Sequence, residues 1–114
     1  MQGTIAEEVT MPTYLVADID VHDPETYDRY SKAAQETYAG YGKVTYLVRG
    51  GEDTPLEGDW KPKRLFIIRF EDREKALEWY RSAGYQEAMK LRQASASSDL
   101  IMVEGVDWVV PGTE

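Results

Sequence analysis

Thr13-Tyr14-Leu15-Val16-Ala17-Asp18-Ile19-Asp20-Val21, running into His22-Asp23-Pro24, is the stretch that decides the fold. Leu15, Ala17, Ile19 and Val21 alternate with Tyr14, Val16, Asp18 and Asp20, the period of two of a strand that presents two different faces. One set is wholly apolar; the other is apolar at its start and acidic at its end. Asp23 then offers an oxygen to cap a helix, and Pro24 suits the first helical position.

Working outward, Tyr27, Tyr30, Ala34, Tyr38 and Tyr41 recur at three- and four-residue steps, which predicts one face of a helix stopped by Gly40 and Gly42. A second strand is expected at Lys43–Arg49, a Gly/Pro-rich loop holding Trp60 at 50–63, and a third strand at Arg64–Phe70. Asp72 can cap a second helix whose apolar side carries Ala76, Leu77, Trp79 and Tyr80. Ser82-Ala83-Gly84 interrupts it, and Tyr85, Ala88, Met89 and Arg92 continue a further helical piece. A small polar stretch, Ala94–Ser98, leads to a fourth strand at Asp99–Glu104.

The order strand, helix, strand, strand, helix, strand predicts an α+β, ferredoxin-like βαββαβ fold. Right-handed crossovers then give an antiparallel sheet ordered 4-1-3-2, with both helices on one face. Residues 1–12 are expected as a leader, 13–105 as the domain, and 106–114, with Trp108-Val109-Val110, as a tail or an extra edge strand.

Two helices cover one face of such a sheet, and every strand is apolar on both. Leu15, Ala17, Ile19, Val21, Phe66, Ile68 and Phe70 are assigned to the helix side, with Val44, Tyr46, Val48, Ile101 and Val103. The other side takes Val16, Leu47, Leu65, Ile67, Leu100 and Met102 at its centre, and Asp18, Asp20, Arg49, Arg69 and Glu104 at its ends. An apolar patch on the order of several hundred Å2 exceeds what a monomer usually leaves bare, which predicts a homodimer joined through the helix-free face, sheet on sheet. The charged ends are either satisfied pairs that fix the dimer's register or a cluster that binds a small polar molecule.

Composition removes whole classes of function. With no cysteine there are no disulfides, thiolate metal sites or cysteine nucleophiles, and a reducing, cytoplasmic setting is compatible with that. A formal net charge of -8, with its 13 basic residues dispersed, opposes binding to nucleic acid. No apolar run reaches the roughly 18 residues of a membrane span, and the first ten residues lack the pattern of a signal peptide. Neither a metal site nor a cofactor is expected, because the one histidine, His22, lacks companion ligands and Gly50-Gly51 lacks the spacing of phosphate-binding loops.

Several pieces together carry a family likeness. They are Tyr14-Leu-Val-Ala-Asp-Ile-Asp-Val with Asp23-Pro-Glu, Tyr27 and Tyr30; Tyr46-Leu-Val-Arg-Gly-Gly; and Leu56-Glu-Gly-Asp-Trp60 with Pro62. Arg64-Leu with Phe70, Trp79-Tyr80-Arg-Ser, Tyr85-Gln, Arg92 and Val103-Glu-Gly follow in order. From Tyr14 to Gly105 the chain resembles the bacterial family called domain of unknown function 1330. The resemblance implies a ferredoxin-like fold of the dimeric α/β-barrel type, usually homodimeric, and implies no particular reaction.

Candidate site residues come from the residue types themselves. Arg49 ahead of Gly50-Gly51 can hold an anionic group, Trp60 can exclude water, and Asp18 can orient Arg49 or accept a proton. His22, at the end of the first strand, is a weaker candidate ligand-binding residue. Arg92 reads as a cation at the negative end of a helix. The expectation is a small-molecule-binding homodimer, with a small anionic or aromatic ligand near Asp18, Arg49 and Trp60. It extends to a cofactor-independent enzyme; the alternative is a non-catalytic structural or regulatory dimer.

Overall fold

The computed structural model describes residues 11–114, so most of the expected leader lies outside the described residues. Strand β1 (Thr13–Val21) leads to helix α1 (Pro24–Gln35), then strands β2 (Thr45–Arg49) and β3 (Leu65–Phe70). Helices α2 (Arg73–Arg81) and α3 (Ala83–Ser95) precede β4 (Ala96–Glu104). The sheet order is β2-β3-β1-β4, every neighbouring pair antiparallel, as the crossover argument predicts. Helices α1, α2 and α3 carry the buried residues that meet Leu15, Ile68 and Phe70 of the sheet in one core.

Local chemistry sets the helix ends. Asp23 accepts the Thr26 N–H at 3.3 Å and its hydroxyl at 2.7 Å, with Pro24 behind it. Asp72 accepts the Lys75 N–H at 2.8 Å, and Ser82 both ends α2 and caps α3 through the Tyr85 N–H at 3.2 Å. These bonds satisfy N–H groups that a first helical turn leaves without partners. Trp79, Tyr85 and Phe70 are fully buried and touch one another: the Trp79 ring lies 4.1 Å from Tyr85 and 5.2 Å from Phe70. Burying side chains of this size stabilises by roughly 1.5–3 kcal/mol each.

Four expectations are corrected. Helix α1 stops at Gln35, so Tyr38 and Tyr41 belong to the turns after it, although Tyr38 still stacks on Trp79 at 4.8 Å. The stretch 94–98 is no linker, because α3 passes directly into β4 between Ser95 and Ala96. In β4, Leu100 and Met102 stand opposite Ala17 and Leu15 on the helix side, while Val103 and Ile101 stand opposite Tyr14 and Val16 on the open side. The assignment of β4 is thus inverted, and Glu104, opposite Thr13, leaves the open face with it. In β2 an irregularity at Leu47 shifts the register, so Val48 faces Ile67 on the open side and Arg49 faces Phe66 on the helix side. One residue of slip moves everything beyond it to the other face.

The open face that results is apolar at its centre and charged at its ends, now with one sign at each. Val16, Ile67, Val48, Ile101 and Val103 form the middle; Asp18, Asp20 and Asp99 lie at one end and Arg69, opposite Tyr14, at the other. Ile101 is 62% exposed and Val103 47%. After Gly105, whose N–H is held by the Pro12 carbonyl at 2.8 Å, residues 106–114 add no strand.

Candidate functional site

The residues singled out by sequence fall into two places. Asp18 lies on the open side, where Oδ1 accepts the backbone N–H of Lys63 at 2.8 Å and of Arg64 at 3.3 Å. Its Oδ2 accepts the Trp60 indole N–H at 3.3 Å. Partial burial pushes the Asp18 carboxyl up, but these donors and the Lys63 charge together hold it below its usual value. Asp18 and Trp60 therefore form the clasp that returns the long loop to β3. A cleft of about 420 Å3 opens beside it, lined by Pro55, Leu56, Trp60, Pro62 and Leu65.

Arg49 is elsewhere, and the expected pairing of Asp18 with Arg49 does not occur. Turned to the helix side by the shift at Leu47, Arg49 lays its guanidinium 5.4 Å from the centre of the Tyr46 ring. It stands at a crevice between α1 and the sheet, lined by Tyr27, Tyr30, Gln35, Tyr38 and Tyr46 over a floor from β1 and β3. The enclosed space is about 30 Å3, close to the volume of a single water. His22 is exposed at the end of β1 and joins neither place; its backbone N–H bonds the Ser95 carbonyl at 2.9 Å.

Two hydroxyl pairs edge the crevice. Tyr30 and Tyr85 share a hydrogen bond of 2.8 Å, and Tyr38 and Tyr46 one of 2.9 Å. Burial, reinforced by the neighbouring tyrosines, pushes Tyr30 and Tyr38 far above the ordinary phenol value. Both stay protonated at neutral pH, so each pair has one O–H left to donate outward. Neither carboxylate nor imidazole lines the crevice among the described residues. Its chemistry is that of donors, aromatic faces and cations.

Further cations were missed at the sequence level. Arg64 lies 5.7 Å from the Tyr27 ring and 5.4 Å from Phe66. Gly50 makes room for it: its φ is +67°, and a Cβ there would meet Arg64 Nε at 2.9 Å. Arg92, only 5% exposed, lies 5.8 Å from the Tyr30 ring. Tyr85, Ala88, Arg92 and Ser95 form the buried face of α3, so their three- and four-residue steps were the signal that Arg92 points inward. Among the described residues the ion pairs are made by Lys32, Lys75 and Lys90, and none by an arginine. No group of three or more His, Asp or Glu side chains is placed to hold a metal ion among them, and no helix is long and apolar enough to cross a membrane.

The strand order, with helices on one face, defines a ferredoxin-like α+β protein. The chain belongs to the family described as Domain of unknown function (DUF1330), whose pattern matches residues 12–106. Among solved structures it is similar to the RPA0582 protein of unknown function from Rhodopseudomonas palustris, with 21% identity, TM-score 0.70, and coverage of 85% of this chain and 84% of that one. SnoaB, a cofactor-independent oxygenase from Streptomyces nogalater, shares the fold at 11% identity and TM-score 0.59, covering 90% and 99%. So does a dimeric ferredoxin-like protein of unknown function from Thermobifida fusca YX, at 10% identity and TM-score 0.58, covering 83% and 92%. No curated protein matches the chain.

Proposed function

We propose that this protein is a homodimer that binds a small organic molecule in the crevice between α1 and the sheet, where Arg49 and the tyrosine hydroxyls hold it. The observation that carries this reading is the convergence of Tyr27, Tyr30, Tyr38, Tyr46 and Arg49 on one crevice with no acidic residue lining it. Apolar walls with a few converging polar groups are the usual make-up of a small-molecule site. Asp18 and Trp60 serve the site indirectly, by closing the loop that sets Arg64 over the ring of Tyr27, one wall of the crevice.

The dimer rests on the open face. Val16, Ile67, Ile101 and Val103 form an apolar centre that a second copy would cover, and a copy turned end for end sets Arg69 against the acidic end of its partner. That the ferredoxin-like neighbour from Thermobifida fusca is dimeric supports dimer formation.

The fold also houses a cofactor-independent oxygenase in SnoaB, which supports turnover of a bound organic molecule without a metal or cofactor. One observation favours a purely structural dimer instead: the crevice as it stands encloses only about 30 Å3. The side chains at its mouth, Gln35 and Arg49, are exposed and have room to swing aside.

The deciding experiment is a thermal-shift screen against phenols, aldehydes and small organic acids, on the wild-type chain and on Arg49→Ala. Binding predicts a concentration-dependent rise in Tm for at least one class, weakened in the variant. A screen in which no compound moves the melting temperature favours the structural dimer.

A further inference from the structure

The fold holds 21 acidic residues against 13 basic ones, yet it ion-pairs none of its arginines among the described residues. For Arg49 and Arg64, both exposed, water compensates. Arg92 has no such relief. It is 5% exposed and its Nε has no hydrogen-bond partner; burial works against its charge, and the Tyr85 and Tyr30 hydroxyls more than offset that, with no carboxylate of the described residues taking part. A guanidinium keeps its proton at any accessible pH, so this cation cannot escape by neutralising. Buried charges are normally paired, and an unpaired one is costly.

The groups around Arg92 form a continuous series. Its guanidinium lies over the Tyr30 ring, Tyr30 lies 5.4 Å from Tyr27, and Arg64 lies over Tyr27. Both arginines act on the Tyr27 hydroxyl. Tyr27 and Tyr30 line the crevice. The Tyr30–Tyr85 hydroxyl pair next to Arg92 adds a spare O–H donor. An unused guanidinium N–H and a spare hydroxyl beside it are donors of the kind a planar carboxylate accepts, and no carboxylate of the described residues pairs with Arg92.

We propose that Arg92 is an anion anchor, and that the ligand of the crevice is an organic acid whose carboxylate is taken by Arg92 and whose body lies along Tyr27 and Tyr30. This rests on the reading of the crevice as a small-molecule site and specifies its ligand class. The crevice of about 30 Å3 is lined by Tyr30 and by neither Arg92 nor Arg64, so the acid's body enters once Gln35 and Arg49 move and its head reaches Arg92 past the Tyr30 ring.

The test pairs acids with neutral isosteres of the same shape: benzoate with benzamide, and phenylacetate with phenylacetamide. Each is titrated into the wild-type chain, Arg92→Met and Arg92→Lys, following Tm and the Arg92 Nε–H resonance in 15N-labelled protein. The expected result is a rise in Tm and a downfield shift of that resonance with an acid and not with its amide. Affinity should fall at least tenfold in Arg92→Met, whose ligand-free Tm is not lowered. Amides that bind as well as acids, or acid binding that survives Arg92→Met, overturn the anchor and leave the crevice a neutral-ligand site. Silence from all four compounds counts against the anchor, while phenols or aldehydes that still raise Tm keep the binding reading. Should Arg92→Met fail to fold, an acid that raises wild-type Tm without moving the Nε–H resonance overturns the proposal by itself.

Discussion

Trp60 donates its indole N–H to Asp18 across 42 residues of sequence, and the same carboxylate takes two backbone N–H groups of the returning loop. One aspartate thus fixes where β3 begins and where Arg64 is delivered. Removing it is expected to loosen the loop more than the core. Asp18→Ala should cost about 1 kcal/mol, since hydrogen bonds to a charged acceptor are strong but these are partly solvated. Tryptic cleavage after Lys63 or Arg64 should accelerate at the same time. A variant with wild-type cleavage kinetics would refute the clasp.

The open face gives a second expectation. Ile101 points away from the helices and is well exposed in one subunit, so Ile101→Glu should leave the subunit folded by circular dichroism. In the proposed dimer the substitution buries two unpaired charges, one from each copy. Dissociation should weaken the assembly by about a hundredfold or more, corresponding to roughly 3 kcal/mol. Sedimentation equilibrium reads this directly: a wild-type chain that sediments as a monomer at high concentration would refute the dimer.

Core chemistry is tested at Trp79. Its N–H donates to the Thr37 hydroxyl at 2.8 Å, and its ring stacks on Tyr38 beneath the crevice. Trp79→Phe keeps an aromatic ring but loses the hydrogen bond and part of the packing. A loss of about 2 kcal/mol is expected from urea unfolding, from the smaller ring plus the lost hydrogen bond, although the Thr37 hydroxyl keeps its bond to the Ala34 carbonyl at 2.6 Å. Because Tyr38 then stacks on a smaller ring, any ligand-induced Tm shift should shrink as well.

Acid stability should follow the helix caps. Hydrogen bonds from Thr26 lower Asp23, and the Lys75 N–H lowers Asp72, so both carboxyls sit below their unfolded value of about 3.9. Groups depressed on folding contribute stability that is present above the unfolded pKa and lost as pH falls through the folded one. Asp23→Asn and Asp72→Asn keep a capping oxygen without the charge. They should change Tm little at pH 7, flatten its decline below about pH 4, and converge with wild type near pH 2. Asp72→Ala, with no cap, should lose about 1 kcal/mol at neutral pH.

The strand order was legible because β1 and β3 each have one wholly apolar parity and Asp23-Pro24 marks a helix start. Asp18 and Trp60 were rightly placed at one end of the sheet. The face of β4 was not legible, since Leu100, Ile101, Met102 and Val103 are apolar at both parities and periodicity says nothing. Only pairing with β1 decides it. The end of α1 was misread because Tyr38 and Tyr41 keep a helical spacing while packing from turns. Arg92 was hidden by its charge: a basic residue in a last turn reads as a dipole partner, although its spacing from Tyr85 and Ala88 already turned it inward.

The extra residue at Leu47 has a consequence out of proportion to its size. A sheet is a partition, and in the proposed reading this one separates a compartment for ligands from a surface for a second copy. Because the ladder skips one position there, the guanidinium that follows is delivered to the first compartment. A chain in which Leu47 took the ladder position opposite Ile67 would send the same arginine through to the open face. Straightening that one irregularity is thus enough to move the arginine from one side of the partition to the other, while deleting Leu47 would leave it where it is.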